Sequence, residues 1–430
     1  MKRRTLLKKS VISKSNLKKI RYLLPSFEPD LPKGKQYIKV CEPDLRGNEL
    51  EYVNDCVTSE WISSQGTYVN KFEEKFAKFC GVKYAIAVTN GSHALQLALA
   101  VLGIGLGDEV IVPTFTMVAT ANAVTVLGAR PVFVDARADT WNIDETKIES
   151  AITSKTKAII VVHIYGHPVE MDTIAKIAKK HNLWVIEDAA EAHGATYKGK
   201  KVGSIGDIGC FSFYANKMIT TGEGGMVTTN NKRLSELMYK LHNHAFDDEI
   251  HFWHQYVGYN FRMTNLQAAV GCAQLERIEH MIQLRKKNAT LYKQYLAGVQ
   301  GIQLPVEKKD VENTYWMFGI VLDESFPLSR DQLRQKLAEQ SIETRTFFIP
   351  LHLQPIYFDS KYLSAYPVAN MLCQRGLYLP SSSTLRPETI EFITSIISSP
   401  FPKTKKDTRT KHSLQKKKKL IKDTKQSLFV

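Results

Sequence analysis

Leu183-Trp184-Val185-Ile186-Glu187-Asp188 is an apolar run that ends on two carboxylates. Consecutive apolar residues mark a strand covered on both faces, the habit of parallel sheets flanked by helices. In such sheets ligands bind at the carboxyl edge of the strands, so the acids stand where chemistry is done. The pattern recurs in Gly206-Asp207-Ile208-Gly209-Cys210-Phe211-Ser212-Phe213-Tyr214-Ala215-Asn216-Lys217. There an apolar, aromatic strand is followed by a single Lys and then by the glycine-rich Thr220–Met226. A Lys at the end of a buried strand is costly unless it is paired or chemically used.

Outward from this stretch, short apolar runs alternate with helical periodicity. Phe72, Phe76 and Phe79 share one helical face, which Gly81 ends, and Tyr84–Val88 reads as the next strand. Further strands are expected at 109–113, 131–135 and 158–164, with helices at 94–102, 118–127 and 173–181 between them. Strand–helix alternation implies a mainly parallel, doubly covered sheet. From about residue 275 a long amphipathic helix, 275–296, opens a mixed segment. The expected fold class is α/β: a large domain over 38–275 and a smaller C-terminal α+β domain over 276–402. Residues 40–54 are expected to pack with the small domain. Residues 1–37 read as a basic, disordered arm and 403–430 as a Lys-rich tail.

Composition narrows the function classes. The chain has 430 residues, 43% hydrophobic and 23% charged, with no run long enough to span a bilayer. Its net charge of +15 is confined to its ends: residues 1–39 carry +10, residues 403–430 carry +9, and the remainder carries −4. A mildly acidic body argues against nucleic acid as a partner. The first 27 residues lack Asp and Glu. That resembles an organellar transit peptide, and a disordered arm explains it equally well. Six dispersed cysteines without a CxxC pair fit free thiols in a reducing, cytoplasmic setting. Gly103-Ile104-Gly105-Leu106-Gly107 follows a helix rather than a strand, and Gly194–Lys201 puts Lys where a P-loop needs Ser or Thr. Neither is a nucleotide-binding loop.

One chemistry uses the remaining parts. Pyridoxal 5′-phosphate requires a Lys to condense with its aldehyde, an acid for its ring nitrogen and an anion site for its phosphate. Lys217 and Asp188 supply the first two, and the Gly91-Ser92-His93 turn at a helix start supplies the third. Taken singly these residues read as a surface cation, a helix cap and a plain turn; their order on a parallel α/β pattern favours the cofactor.

These residues and their neighbours resemble the sugar-nucleotide aminotransferases, fold-type I enzymes that aminate keto-sugars. The likeness covers about residues 38–400. It is carried by Glu60–Gly66, Thr89-Asn90-Gly91-Ser92, Val112–Thr116, Val162–Gly166, Glu187–Ala192, Phe211-Ser212-Phe213 with Asn216-Lys217, and Gly258–Thr264. Within the family, Glu187–Glu191, Ala195–Lys201 and Thr220–Met226 resemble the GDP-perosamine synthases, which act on GDP-4-keto-6-deoxymannose with L-glutamate as amino donor, yielding 2-oxoglutarate.

The resemblance implies that Lys217 binds the cofactor and moves protons, Asp188 pairs with the ring nitrogen and Glu191 approaches the ring hydroxyl. It implies that Ser92 and His93 hold phosphate by backbone amides and Ser212 by its hydroxyl. Asn260 would reach the phosphate of a neighbouring subunit, making a homodimer with shared active sites. His163, Arg345 and His352 fall where the family places substrate-side groups. Met117 stands at the ring-stacking position, often aromatic in relatives, and His93 replaces a smaller or acidic residue.

Three other readings remain open, the first being an aminotransferase acting on a UDP- or dTDP-linked 4-keto sugar. A sugar dehydratase on the same scaffold would have His in place of Lys217; a regulatory or nucleic-acid-binding protein would use the basic tails on a vestigial fold. The four histidines between Leu241 and His254 match no metal-ligand spacing and read as a variable loop, with no metal expected.

Overall fold

The computed structural model describes residues 12–31 and 37–399; the Lys-rich tail lies outside them, as do 1–11 and 32–36. Fourteen strands form three sheets among the described residues. In chain order β1 is Tyr84–Val88, β2 Glu109–Pro113, β3 Arg130–Val134, β4 Thr156–Val162 and β5 Trp184–Asp188. Next come β6 Thr196–Tyr197, β7 Lys200–Lys201, β8 Ile208–Ser212, β9 Gly225–Thr229, β10 Ile302–Gln303 and β11 Val311–Glu312. The last three are β12 Phe318–Leu322, β13 Arg345–Thr346 and β14 Gly376–Leu379.

The main sheet runs β1-β9-β8-β5-β4-β2-β3. Strands β3, β2, β4, β5 and β8 pair in parallel, and β9 runs antiparallel to β8 and β1. Neighbouring residues of a strand point to opposite faces. Val110, Val112, Ile160 and Ile186 therefore join one buried core, and Ile111, Ile159, Val161 and Val185 another. Two-sided burial is why these strands read as unbroken apolar runs. A four-stranded sheet, β10-β12-β14-β13, carries the smaller C-terminal core.

Helices α1 Lys14–Ile20, α2 Glu49–Thr58, α3 Thr67–Cys80, α4 Gly91–Val101, α5 Val118–Val126 and α6 Met171–His181 precede or alternate with the first strands. Later ones are α7 Lys232–Leu241, α8 Asn265–Glu276, α9 Ile278–Leu296, α10 Arg330–Glu339, α11 Pro367–Arg375 and α12 Pro387–Ser398. Gly81, at φ 75°, closes α3 in the left-handed conformation glycine tolerates. The single helix expected over 275–296 is instead α8 and α9, broken at Arg277 (φ −112°, ψ 2°). The Arg277 guanidinium donates to both oxygens of Asp44, at 3.4 and 3.1 Å. Residues 38–42 join the small sheet region: Ile38 bridges Ile342, and the Val40 and Glu42 amides donate to Glu343 and Ser382.

Residues 12–31, expected within a disordered arm, are ordered. Ser13 caps α1 by accepting from the Asn16 amide, and Ile20 and Leu23, 1% and 3% exposed, pack with Leu353. Ser26 donates its amide to Asp331 at 2.8 Å, and Arg334, itself 1% exposed, donates to Glu28 at 2.5 Å. High basic content concealed two apolar anchors one helical turn apart. Leu23→Ala should cost about 2–5 kcal/mol, the usual range for a buried Leu. A lowered urea midpoint would show it, and an unchanged one would mean that the arm is not docked.

Candidate active site

Strand β5 delivers Glu187 and Asp188 to opposite faces of the sheet. Glu187 is fully buried and works as a clamp. Its Oε1 accepts from the Ile205 and Gly206 amides (2.7 and 2.6 Å), and its Oε2 from the Gly203 amide (2.9 Å) and His163 Nε2 (3.1 Å). Burial pushes its pKa up, but His163 and the amides outweigh burial and hold the carboxyl below its ordinary value. His163 uses its other nitrogen too, since Nδ1 accepts the Val169 amide at 3.0 Å. Nε2 therefore carries the proton donated to Glu187. With 0% exposure and both nitrogens engaged, His163 has no edge to offer a substrate, which corrects the role expected for it. His352 is corrected for the same reason. It is 1% exposed, with Nδ1 2.8 Å from Thr114 Oγ1 and Nε2 3.1 Å from Asn370 Oδ1. Burial lowers its pKa to about 4, so it is a neutral tie between β2 and α11.

On the other face, Asp188 is 6% exposed. Its Oδ2 accepts from the Thr120 hydroxyl at 2.9 Å and its Oδ1 from the Ala190 amide at 3.3 Å. Burial raises its pKa; Thr120, the Ala190 amide and the Lys217 charge oppose that, and burial prevails. Thr120 sits in α5, whose N-cap is Met117, 52% exposed. Glu191 accepts the Tyr165 amide at 2.9 Å, and burial raises its pKa to about 7 against the pull of Lys217.

A raised carboxyl pKa has a defined consequence for stability. Between its ordinary value of 4.5 and about 7 the folded cofactor-free chain holds a proton that the unfolded chain releases. The stability Glu191 contributes is therefore complete below pH 4.5 and is lost as pH rises through 7. Glu191→Gln should flatten that part of the apo-protein's stability–pH curve. An unaltered slope would contradict a buried, proton-holding Glu191.

The start of α4 forms the anion end. Asn90 caps the helix, its Oδ1 accepting the His93 amide at 2.8 Å. That bond commits the very amide expected to hold phosphate, so the expectation for His93 is corrected. The His93 ring stacks on Phe261 with centroids 3.9 Å apart, and Nδ1 lies 2.5 Å from Thr89 Oγ1. Helix geometry leaves the Gly91 and Ser92 amides without intrahelical partners, and the helix dipole favours an anion before them. A Cβ on Gly91 would lie 2.7 Å from the Ser212 Cβ, so glycine lets the end of β8 lie against the helix start. Ser212 thereby brings its hydroxyl beside those amides.

Lys217 follows β8 on a turn fixed by its own amide donating to the Tyr214 carbonyl at 2.9 Å. Among the described residues its Nζ has no hydrogen-bond or ion-pair partner; it lies 3.9 Å from the centre of the Trp316 ring. Burial lowers its pKa, while Glu191 and Asp188 act to raise it. Asn260 and Arg345 are exposed. Asn260 Oδ1 accepts from Arg262 at 3.1 Å, and Arg345 pairs with Glu343 at 2.6 Å.

An unpartnered lysine amine facing two buried carboxylates, with free helix amides beside a serine hydroxyl, fits pyridoxal 5′-phosphate. Sequence reasoning missed Thr120, Trp316 and the Glu187–His163 clamp. Thr120 and Trp316 give no local signal, since their partners are 68 and 99 positions away. The acids at 187 and 188 signalled the binding edge of the sheet, but not that Glu187 faces away as a structural clamp.

The fold is that of an aminotransferase built on a doubly covered α/β sheet. Residues 43–398 match the DegT/DnrJ/EryC1/StrS aminotransferase family, and the chain belongs to it. It is 48% identical to a GDP-perosamine synthase of Escherichia coli O157:H7 over 358 residues, 83% of this chain and 97% of that one. It is 42% identical to a GDP-perosamine synthase of Vibrio cholerae, over 85% of this chain and 99% of that one. Among solved structures, a Streptococcus pneumoniae protein described as a sugar aminotransferase in its PLP-form superposes with a TM-score of 0.80. Identity there is 29%, over 85% of this chain and 98% of that one. The docked segment 12–31 precedes the family match. No described helix is long and apolar enough to cross a membrane.

Proposed function

We propose that this aminotransferase converts GDP-4-keto-6-deoxymannose to GDP-perosamine, with L-glutamate as amino donor and pyridoxal 5′-phosphate as cofactor. The observation that carries the chemistry is the free Lys217 amine held near Asp188 and Glu191. The two GDP-perosamine synthases at 48% and 42% identity support the choice of sugar and nucleotide.

When bound, the cofactor supplies an aldehyde that takes up the amino group and a protonated ring that withdraws electrons from the reacting carbon. Asp188, anchored by Thr120 and the Ala190 amide, holds the proton on the ring nitrogen. Glu191 would interact with the ring hydroxyl, the Gly91 and Ser92 amides and the Ser212 hydroxyl would bind the phosphate, and Met117 would cover the ring. Lys217 removes the proton from the glutamate α-carbon and returns one to the cofactor carbon. Desolvation helps by keeping part of the amine neutral. In the second half-reaction the same amine moves the proton in the opposite sense at the sugar C4. Arg345, exposed on the edge strand β13, is the substrate-side cation.

Asn260 would complete the phosphate site of a second copy, so the working unit is a homodimer. The exposed Phe252, Trp253 and Val257, 74%, 59% and 88% accessible, support that contact. Free cysteines, all but Cys41 buried, suit a cytoplasmic enzyme. Purified protein should aminate the GDP-linked 4-keto-6-deoxymannose with glutamate at least tenfold faster than UDP- or dTDP-linked 4-keto-6-deoxyglucose. Preference for either of the latter would overturn the substrate assignment while leaving the transaminase intact.

A further inference from the structure

Once an amino donor has taken its place on the cofactor, the Lys217 amine must wait within reach of the reacting carbon. The structure shows a surface for it. The indole of Trp316 is 5% exposed, and its ring centre lies 3.9 Å from Lys217 Nζ. That ring is held from several sides. Its Nε1 donates to the Asn216 carbonyl at 2.7 Å, beside the catalytic residue itself. The same carbonyl accepts the Cys41 thiol at 3.2 Å. Arg285, 3% exposed, donates to the Trp316 carbonyl at 2.5 Å and to Cys41 Sγ at 3.3 Å. Among the described residues Arg285 has no carboxylate partner, and its Nε has no partner at all. A buried guanidinium spent on a carbonyl and a thiol implies that fixing Trp316 and the 216–217 turn is its purpose.

Resting on this transaminase reading, we propose that Trp316 is a positioning residue whose indole face receives the Lys217 amine whenever that amine is not joined to the cofactor. A ring face attracts an ammonium far more strongly than a neutral amine. The indole thus offers the proton-loaded lysine a weak, directional resting place that no hydrogen bond must be broken to leave. Glu191 and Asp188 favour the same charged form from the cofactor side, the Cys41 thiol on the Trp316 side is spent on the Asn216 carbonyl, and burial keeps His193 neutral. Trp316 adds attraction without adding an ion pair that would trap the proton.

The test reads the amine directly. Holoenzyme is incubated with excess L-glutamate, which frees Lys217, then pulsed with acetic anhydride across pH 6–10.5. Acetylation of the Lys217 peptide is quantified by mass spectrometry and normalised to each variant's alkaline plateau. Trp316→Leu should label Lys217 several-fold to about tenfold faster at pH 8, its midpoint moved to lower pH. Trp316→Phe, which keeps a weaker face and protects against misfolding, should fall between Leu and wild type. Midpoints of both variants coincident with wild type, or moved upward, would overturn the proposal, even if the melting temperature falls. Wild-type labelling of Lys217 that does not respond to glutamate would instead overturn the transaminase reading beneath it.

Discussion

Lys217→Ala should lose transamination by roughly 10,000-fold, because one side chain both holds the cofactor and moves the proton in each half-reaction. No neighbour can substitute. Among the groups that face the Lys217 amine, Asp188 and Glu191 are acids already bonded to Thr120 and to the Tyr165 amide, and His193 has a pKa lowered to about 3 by burial. Removing the side chain leaves the Asn216–Trp316 and Tyr214 backbone bonds in place, so the fold should persist. The expected protein is soluble, with an unchanged far-ultraviolet spectrum, and inactive. Turnover within tenfold of wild type would remove Lys217 from the mechanism.

Asp188→Asn is the second large effect, expected at about 100- to 1000-fold in kcat. The amide preserves size and can still bond Thr120 and the Ala190 amide, but it cannot oppose the positive charge on a protonated ring nitrogen. Since a protonated ring nitrogen would matter for the proton-removal step rather than for holding glutamate, kcat should fall while the KM for glutamate changes little. A drop of less than threefold would show that Asp188 only caps the Glu187–Ala192 segment.

Much of this was legible in the sequence, and the reasons are physical. Strands β1 and β2 lie where the apolar runs end, because two-sided burial leaves no polar interruption to blur the edges. Asp188 and Lys217 were legible because a charge at the end of a buried strand needs an explanation. The break at Arg277 was not, since the apolar periodicity runs through 275–296 and the Arg277–Asp44 pair spans 233 positions. The docked arm was hidden for a related reason: Ile20 and Leu23 are two anchors among many lysines, and their partner Leu353 lies over 300 residues away, as does Asp331, which accepts from Ser26. His163 and His352 were expected on the substrate side only from the family resemblance, and sequence cannot tell a histidine with both nitrogens engaged from one with a free edge. His93 failed more subtly, through an Asn90 cap that takes the amide the phosphate needed.

The central claim is that the amine at position 217 is the one that joins the cofactor aldehyde. Reducing the pyridoxal phosphate-loaded protein with borohydride and mapping its peptides tests this most directly. The account predicts one phosphopyridoxyl group, on the peptide containing Asn216-Lys217, and loss of that mark when excess L-glutamate precedes reduction. A mark on another lysine, or no mark on a protein that still transaminates, would contradict it.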